Sequence, residues 1–299
     1  MKILITKKSA DYEFFDSGDG EKLERYGSII LTRPDPQAIW SKKLDKSQWE
    51  KADAVYTRVG TSGKWKVKEG INKNWQVSLG DLTFNLELLP SKHLGLFPEQ
   101  SGQWKWLEEK IKMRYESTKH ANETNKKIQV LNLFAYTGGA SMTCARTGAS
   151  VVHVDASKFM VDLAHKNLDS SGLSDKPVRF IVDDVRKFVE REIKRGNKYD
   201  VILLDPPVYG KGPKGEAWNI KTDLQPLLLR LKSLLSPNPI AVVLNGYASG
   251  YSHITYAQLL ESFAKNYNSK ITSGELAIKE TSGGRLLPCG IFARLEIEN

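Results

Sequence analysis

The sequence predicts an α/β fold, in which a parallel sheet is covered on both faces by helices and is preceded by a smaller β-rich region. Two observations predict it. From residue 128 onward, short and continuously apolar strand-type segments alternate with amphipathic helical segments, a pattern typical of strands buried on both faces. The residues before about 92 instead contain strand-type segments separated by turn residues. We therefore predict a β-rich N-terminal domain over 1–92 and an α/β domain over 93–299.

The N-terminal region is β-rich in composition. Strand-type segments cover 28–32, 75–79 and 82–88, and Gly80-Asp81 separates the last two. A short helix is predicted around 47–56. These segments are sufficient for a small sheet, and substrate recognition is the role we expect for it.

The α/β region begins with a helix over 103–114, where Trp104, Leu107 and Ile111 recur at helical spacing. A polar stretch over 120–127 follows and is predicted to be a surface loop. The strands are then predicted over 128–134, 150–155, 178–182, 199–205 and 240–245, with helices over 140–147, 158–171, 185–195, 219–235 and 255–266. Two further strands are predicted over 275–279 and 290–296.

The loop after the first of these strands is rich in small residues and reads Phe134-Ala135-Tyr136-Thr137-Gly138-Gly139. Small residues let a ligand approach the backbone, and the following helix presents free N–H groups to it. The loop is neither a G-x-G-x-x-G fingerprint nor a P-loop. It indicates a nucleotide-type site, and an ordinary strand-to-helix turn is the alternative.

Carboxylates follow the next two strands. Asp155 ends a strand about twenty residues after the glycine loop, where it could accept hydrogen bonds from both hydroxyls of a ribose. The third strand ends at Asp183-Asp184-Val185, where a carboxylate could reach an adenine amino group. Each acid also precedes a helix, so an N-cap is the alternative role for Asp155 and for Asp184.

The fourth strand leads into Asp205-Pro206-Pro207-Val208-Tyr209. Proline fixes φ and contributes no N–H, so this turn offers a carboxylate and carbonyl oxygens as acceptors. Such a turn suits a site that holds an amino or ring nitrogen while its lone pair attacks an electrophile. Tyr209 could stack on a planar base. The alternative is a loop that the prolines merely stiffen.

Together these residues resemble the class I S-adenosylmethionine-dependent methyltransferases, in motif order and in spacing. The resemblance implies a Rossmann-like sheet of seven strands with an antiparallel last strand. The segment 131–139, Leu-Asn-Leu-Phe-Ala-Tyr-Thr-Gly-Gly, is similar to a motif of bacterial large-subunit ribosomal RNA methyltransferases. The implied function is transfer of a methyl group from S-adenosylmethionine to a base nitrogen of ribosomal RNA.

The resemblance also implies roles for individual residues. Those that would bind the cofactor are Phe134, Ala135, Tyr136, Thr137, Gly138, Gly139, Asp155, Ala156, Ser157, Asp184 and Val185, with Glu99 and Gln100 from a segment that lies over the cofactor in such enzymes. Those that would act on the acceptor are Asp205, Pro206, Pro207 and Tyr209. No metal is expected.

The cysteines separate this sequence from one subgroup of that family. Cytosine-5 methyltransferases carry a nucleophilic cysteine in the loop after the fifth strand, and here 243–250 contains none. Cys144 and Cys289 lie elsewhere, so we predict no covalent thiolate step. Two cysteines also exclude a disulfide framework and a cysteine-rich zinc site. With no signal peptide or apolar run long enough to span a membrane, we expect a cytoplasmic protein.

The charge is consistent with a polyanionic partner. Lys plus Arg number 44 against 35 Asp plus Glu, a net charge of +9. The segment 63–75 interleaves lysines with Trp65 and Trp75, as an RNA-contacting hairpin would, although a solvated strand face has the same pattern. A protein or small-molecule methyltransferase, a nicotinamide-dependent oxidoreductase and a non-catalytic RNA-binding relative remain alternatives.

Overall fold

The computed structural model describes residues 1–59, 62–120, 127–247, 250–265 and 267–298. Contacts divide the chain into two compact units. The larger unit contains Met1–Ile3, Gln103–Glu275 and Gly290–Asn299, and the smaller contains Leu4–Gly102 and Leu276–Cys289. No helix within the described ranges is both long enough and apolar enough to cross a membrane.

One sheet is much larger than the others. Its eight strands are β1 (Lys2–Thr6), β9 (Gln129–Leu133), β10 (Ser150–Asp155), β11 (Val178–Val182), β12 (Val201–Leu204), β15 (Ala241–Gly246), β16 (Ser269–Lys279) and β17 (Leu286–Ile297). They lie in the order β1-β16-β17-β15-β12-β9-β10-β11. The pairs among β9 to β12 and between β12 and β15 are parallel, and β15 pairs with β17 antiparallel.

Helices separate the strands of this sheet. They are α2 (Ser101–His120), α3 (Gly139–Arg146), α4 (Lys158–Ser170), α5 (Val185–Lys194), α6 (Ile220–Leu231) and α7 (His253–Ala264). Successive residues of one strand point to opposite faces: Leu204 packs in a core with side chains of α5, α6 and α7, whereas Leu203 packs with side chains of α2 and α3. Both faces of the sheet are therefore buried at β12, which explains why this strand is apolar at every position.

The smaller unit is β-rich. Its sheet has the order β2-β3-β4-β5-β6, with β2 (Tyr12–Gly18), β3 (Glu21–Tyr26), β4 (Ile29–Pro34), β5 (Ala54–Val59) and β6 (Ser62–Val67), and a separate pair is formed by β7 (Asn74–Leu79) and β8 (Leu82–Glu87). A short helix, α1 (Lys46–Trp49), and a 3-10 turn over Pro98–Gln100 complete it. At its centre the Arg33 guanidinium donates to Glu24, and both side chains are buried.

The predicted α/β fold is confirmed, including the antiparallel strand β17. The sheet has eight strands rather than seven, because the N-terminal segment Lys2–Thr6 adds a strand beside β16. The helix predicted around 47–56 is wrong over its second half: it ends at Trp49, and the β-branched segment from Ala54 is strand β5. Most of the loop predicted over 120–127 lies outside the described residues, and the domain boundary at 92 stays a prediction.

Candidate active site

The glycine loop follows β9 at the carboxyl edge of the large sheet. Two non-glycine residues in it have positive φ, Phe134 at 54° and Tyr136 at 51°, and Gly138 follows at 87° before α3 begins. Left-handed backbone at such residues costs free energy and persists only where its surroundings enforce it, most often in functional sites. The loop is therefore held in a specific, strained path.

The two glycines of this loop are required by packing within the protein. A Cβ on Gly138 would lie 3.2 Å from the Cβ of Ala164, and a Cβ on Gly139 would lie 2.3 Å from the Trp104 ring. The predicted approach of a ligand to the backbone at these glycines stays a prediction. The structure shows that the two glycines also let α4 and the Trp104 ring approach the start of α3.

Asp155 is the last residue of β10, and its side chain hydrogen-bonds the glycine loop to this neighbouring strand. Its Oδ2 accepts from the Tyr136 N–H at 2.8 Å, and its Oδ1 accepts from the Ser157 N–H at 2.9 Å. Burial raises the pKa of this carboxyl, while these two backbone donors oppose the shift. The carboxylate is thus oriented at the sheet edge where a ribose was predicted.

Three buried polar residues next to the glycine loop are hydrogen-bonded to one another, and the sequence did not predict this. The Asn132 side-chain amide donates to Ser141 Oγ at 2.9 Å, and Ser141 Oγ lies 3.0 Å from His153 Nδ1. Burial lowers the pKa of His153 to about 3, so the ring is neutral at physiological pH. The only sequence signal is the polar character of Asn132 and His153 within otherwise apolar strands.

The Asp205-Pro206-Pro207 turn lies beside the glycine loop. Leu204 of β12 pairs with Leu133 of β9, so the chain leaves both strands at the same edge of the sheet. Pro206 is buried and Pro207 is exposed. The Pro207 carbonyl accepts from the Trp218 indole N–H at 2.7 Å, so this oxygen already has a donor within the protein. Asp205 and Pro206 are the residues of this turn that we predict to contact an acceptor molecule.

Comparison with known proteins shows the family of this chain. A family model described as S-adenosylmethionine-dependent methyltransferase matches residues 52–270. The chain belongs to the S-adenosylmethionine-dependent methyltransferase family. The crystal structure of the SAM-dependent methyltransferase from Agrobacterium tumefaciens is 35% identical to it, with a TM-score of 0.92 over 100% of this chain and 94% of that one.

Curated relatives have narrower names. The ribosomal RNA large subunit methyltransferase K/L of Shewanella woodyi is 32% identical over 154 residues, 51% of this chain. The ribosomal RNA large subunit methyltransferase I of Aeromonas salmonicida is 40% identical over 84 residues, 28% of this chain. The chain spans 21% of the length of each of these relatives.

The methyltransferase uses S-adenosylmethionine as its methyl donor, and the residues at the sheet edge fit that cofactor. A carboxylate oriented by backbone N–H groups suits a diol, and the Asp155 carboxylate is held in this way. S-Adenosylmethionine supplies a methyl group already activated on a sulfonium sulfur. The described residues contain no cluster of three or more His, Cys, Asp or Glu arranged to hold a metal ion.

Asp184 has the capping role that the sequence left open as its alternative. Its Oδ1 accepts from the N–H groups of Arg186 at 2.9 Å and of Lys187 at 3.2 Å, at the start of α5. The Arg186 guanidinium also donates to Oδ2 at 2.8 Å. Burial opposes ionisation, but the bonds from Arg186 and Lys187 outweigh it and lower the pKa of Asp184. Contact of Asp184 or Val185 with an adenine stays a prediction.

Tyr209 begins a hairpin that the sequence did not predict. Strands β13 (Tyr209–Lys211) and β14 (Ala217–Asn219) pair directly after the proline turn. Trp218 anchors the hairpin, because its ring packs against Phe134 at 4.8 Å between centroids while its N–H bonds Pro207. Tyr209 is 66% exposed, and so presents its ring to solvent.

Neither thiol of the methyltransferase is suited to be a nucleophile. Cys144 is fully buried in α3, where burial raises its pKa to about 12. Burial also raises the pKa of Cys289 well above its usual range, and this residue belongs to the smaller unit. Both cysteines are free thiols and remain protonated at neutral pH.

Glu99 and Gln100 also belong to the smaller unit, in the 3-10 turn over Pro98–Gln100. Both are buried, and burial raises the pKa of Glu99. The predicted contact of Glu99 and Gln100 with the cofactor stays a prediction, as do those of Ala135, Thr137 and Ala156.

Proposed function

We propose that this methyltransferase transfers the methyl group to a base nitrogen of RNA, and that ribosomal RNA is the acceptor. The position of the proline turn supports the proposal: Asp205 and Pro206 follow β12 directly beside the glycine loop, at the sheet edge where we expect the cofactor to bind. The names of the curated relatives support an RNA acceptor.

The proposed mechanism divides the work between two groups of residues. Asp155 accepts from the ribose hydroxyls, while the backbone of 134–139 and the Asp184 side chain contact the rest of the cofactor. Asp205 and the Pro206 carbonyl accept from the hydrogens of an amino group on the acceptor base, and so orient the base with the lone pair of its target nitrogen towards the methyl group. Alignment and exclusion of water supply most of the rate enhancement in such a displacement.

The proposed step needs no covalent intermediate. Attack through a cytosine ring carbon requires a thiolate that first adds to the base, and burial keeps both thiols of this chain protonated. A ring or amino nitrogen carries its own lone pair and needs only orientation. This difference favours a nitrogen target over cytosine C5.

Two surfaces are candidates for RNA contact. In the smaller unit Lys64, Lys66 and Lys68 are exposed. The tryptophans between and beyond them are used inside that unit, because Trp65 donates to the Leu89 carbonyl at 2.8 Å and Trp75 to the Tyr26 carbonyl at 3.0 Å. This surface therefore offers charge without stacking.

The second candidate surface is the β13–β14 hairpin of the larger unit. Tyr209 and Lys211 are two residues apart on one strand, share a face and are both exposed. Lys214 at the hairpin tip is also exposed. An aromatic ring with cations beside it is the combination that binds single-stranded nucleic acid.

The test is methyl transfer from radiolabelled S-adenosylmethionine into total RNA from cells lacking this protein, with the product nucleoside identified by mass spectrometry. A base methylated on nitrogen, formed by the wild type and by a Cys144→Ala, Cys289→Ala double variant, is the expected result. A 5-methylcytosine product or label in protein would refute the nitrogen or the RNA assignment. Absence of any transfer would favour the non-catalytic RNA-binding alternative.

A further inference from the structure

Tyr256 in α7 carries a hydroxyl that the packing of the larger unit does not explain. The side chain is 1% exposed and lies in the apolar core with Leu204, Leu244 and Trp218. Among the described residues its oxygen has no hydrogen-bond partner. A phenylalanine would fill the same volume without the penalty of a buried, unsatisfied polar group. We therefore expect the hydroxyl to have a role other than packing.

The hydroxyl points to the sheet edge that carries the proline turn. A Cβ built on Gly246, the last residue of β15, would lie 2.2 Å from Tyr256 Oη, so the hydroxyl lies directly against this glycine. Leu244 of β15 pairs in parallel with Leu204 of β12. Gly246 and Asp205 are therefore at the ends of neighbouring strands, and the hydroxyl lies between these ends and the first turn of α7.

The electrostatics identify the hydroxyl as a donor. Burial raises the pKa of Tyr256, and the negative charge of Asp205 raises it further. The phenol therefore stays protonated throughout the physiological range. The Asp205 charge acts on this phenol, and a hydrogen bond to a carboxylate is the strongest one that the hydroxyl could make.

We propose that Tyr256 is a positioning residue for methyl transfer, and that its hydroxyl donates a hydrogen bond to the Asp205 carboxylate when the acceptor is bound. The inference rests on the proposed role of Asp205. Formation of this bond in the loaded site satisfies the buried hydroxyl and fixes the carboxylate that orients the acceptor nitrogen. Tyr256 itself touches neither the methyl group nor the nucleophile.

The decisive variant is Tyr256→Phe, which removes one oxygen and leaves the ring. We expect kcat to fall about 10- to 100-fold, the effect of losing one hydrogen bond to a charged group. Affinity for S-adenosylmethionine should stay within about twofold, and the melting temperature should be unchanged or higher because an unsatisfied hydroxyl has been removed. Tyr251→Phe is the matched control, since that ring lies 6.4 Å from the Tyr256 ring and should leave kcat unchanged.

A double-variant cycle shows whether the effect passes through Asp205. In an Asp205→Ala background, Tyr256→Phe should cause no further loss of kcat. Additive losses, or a kcat equal to that of the wild type for Tyr256→Phe alone, would overturn the inference. The comparison uses whichever acceptor fraction the wild type labels, so failure of the RNA assignment is recognised separately, from the wild type alone.

Discussion

Asp155 combines two tasks in one side chain. One of its oxygens accepts from the Tyr136 N–H, and so helps to hold the strained backbone of the glycine loop, while the carboxylate is also the proposed ribose acceptor. A substitution at Asp155 therefore removes the proposed ribose ligand and also loosens the glycine loop.

For this reason Asp155→Ala should weaken binding of S-adenosylmethionine by about tenfold or more, as expected for loss of hydrogen bonds to a charged group. Isothermal titration calorimetry measures the change directly. Asp162→Ala is the matched control, because Asp162 forms only an exposed ion pair with Lys158 on α4. Equal affinity of Asp155→Ala and wild type would refute the ribose assignment.

At the scale of elements, α5 depends on its first residues. Asp184 caps the helix through two backbone N–H groups and pairs with Arg186, so its ionised form is stabilised in the folded protein. Its pKa is lowered on folding. The stabilisation is therefore complete above the unfolded-state pKa and is lost as the pH falls through the folded-state value.

We expect Asp184→Ala to reduce the free energy of unfolding by about 1 kcal/mol, the usual loss for an N-cap. Urea unfolding at neutral pH measures it. Asp184→Asn is the informative control, because asparagine caps a helix equally well but has no charge to titrate. Its stability should be nearer that of the wild type and less dependent on pH below 5. An alanine variant as stable as the wild type would contradict the capping role.

The edge strand β6 allows a second test at this scale. Replacing Lys64, Lys66 and Lys68 by alanine should lower the affinity for RNA. If each lysine contacts one phosphate, the slope of log affinity against log salt concentration should become less steep by about two to three. Filter binding over a series of salt concentrations measures both. A Lys211→Ala, Lys214→Ala double variant provides the comparison on the β13–β14 hairpin. An unchanged slope in one set and a reduced slope in the other would show which surface meets the RNA.

At the scale of the whole molecule, acid stability is expected to depend on a buried ion pair in the smaller unit. Burial alone would raise the pKa of Glu24, but the charges of Arg33 and Lys22 lower it to about 2. The pKa of glutamate in an unfolded chain is about 4.3. The stabilisation is therefore present above that pH and disappears as the pH falls towards 2.

Glu24→Gln should therefore destabilise the protein by about 3 kcal/mol or more at pH 7, because it leaves Arg33 buried without its counter-ion. The difference from wild type should shrink steadily below pH 4. Denaturant titrations across pH 2–7 check both statements. A difference that is constant with pH would mean that ionisation of Glu24 contributes nothing to folding.

Much of the molecule was predictable because its signals are local. A continuous apolar strand, the spacing of apolar residues in a helix and the Asp205-Pro206-Pro207 turn can each be recognised from a short stretch of sequence. The strand Lys2–Thr6 was missed because its partner β16 is remote in sequence, and no local pattern reports such pairing. The buried group of Asn132 and His153 was missed for a similar reason. Only the structure shows that these polar residues of apolar strands share a hydrogen-bond partner, Ser141.

The contact between Trp104 and Gly139 has an evolutionary consequence. Any side chain at 139 would collide with the indole, so a larger residue there can arise only together with a smaller one at 104. The two positions are 35 apart in sequence and should nevertheless change as a pair across related proteins. A lineage that has lost the tryptophan is the place to look for a methyltransferase whose glycine loop has only one glycine.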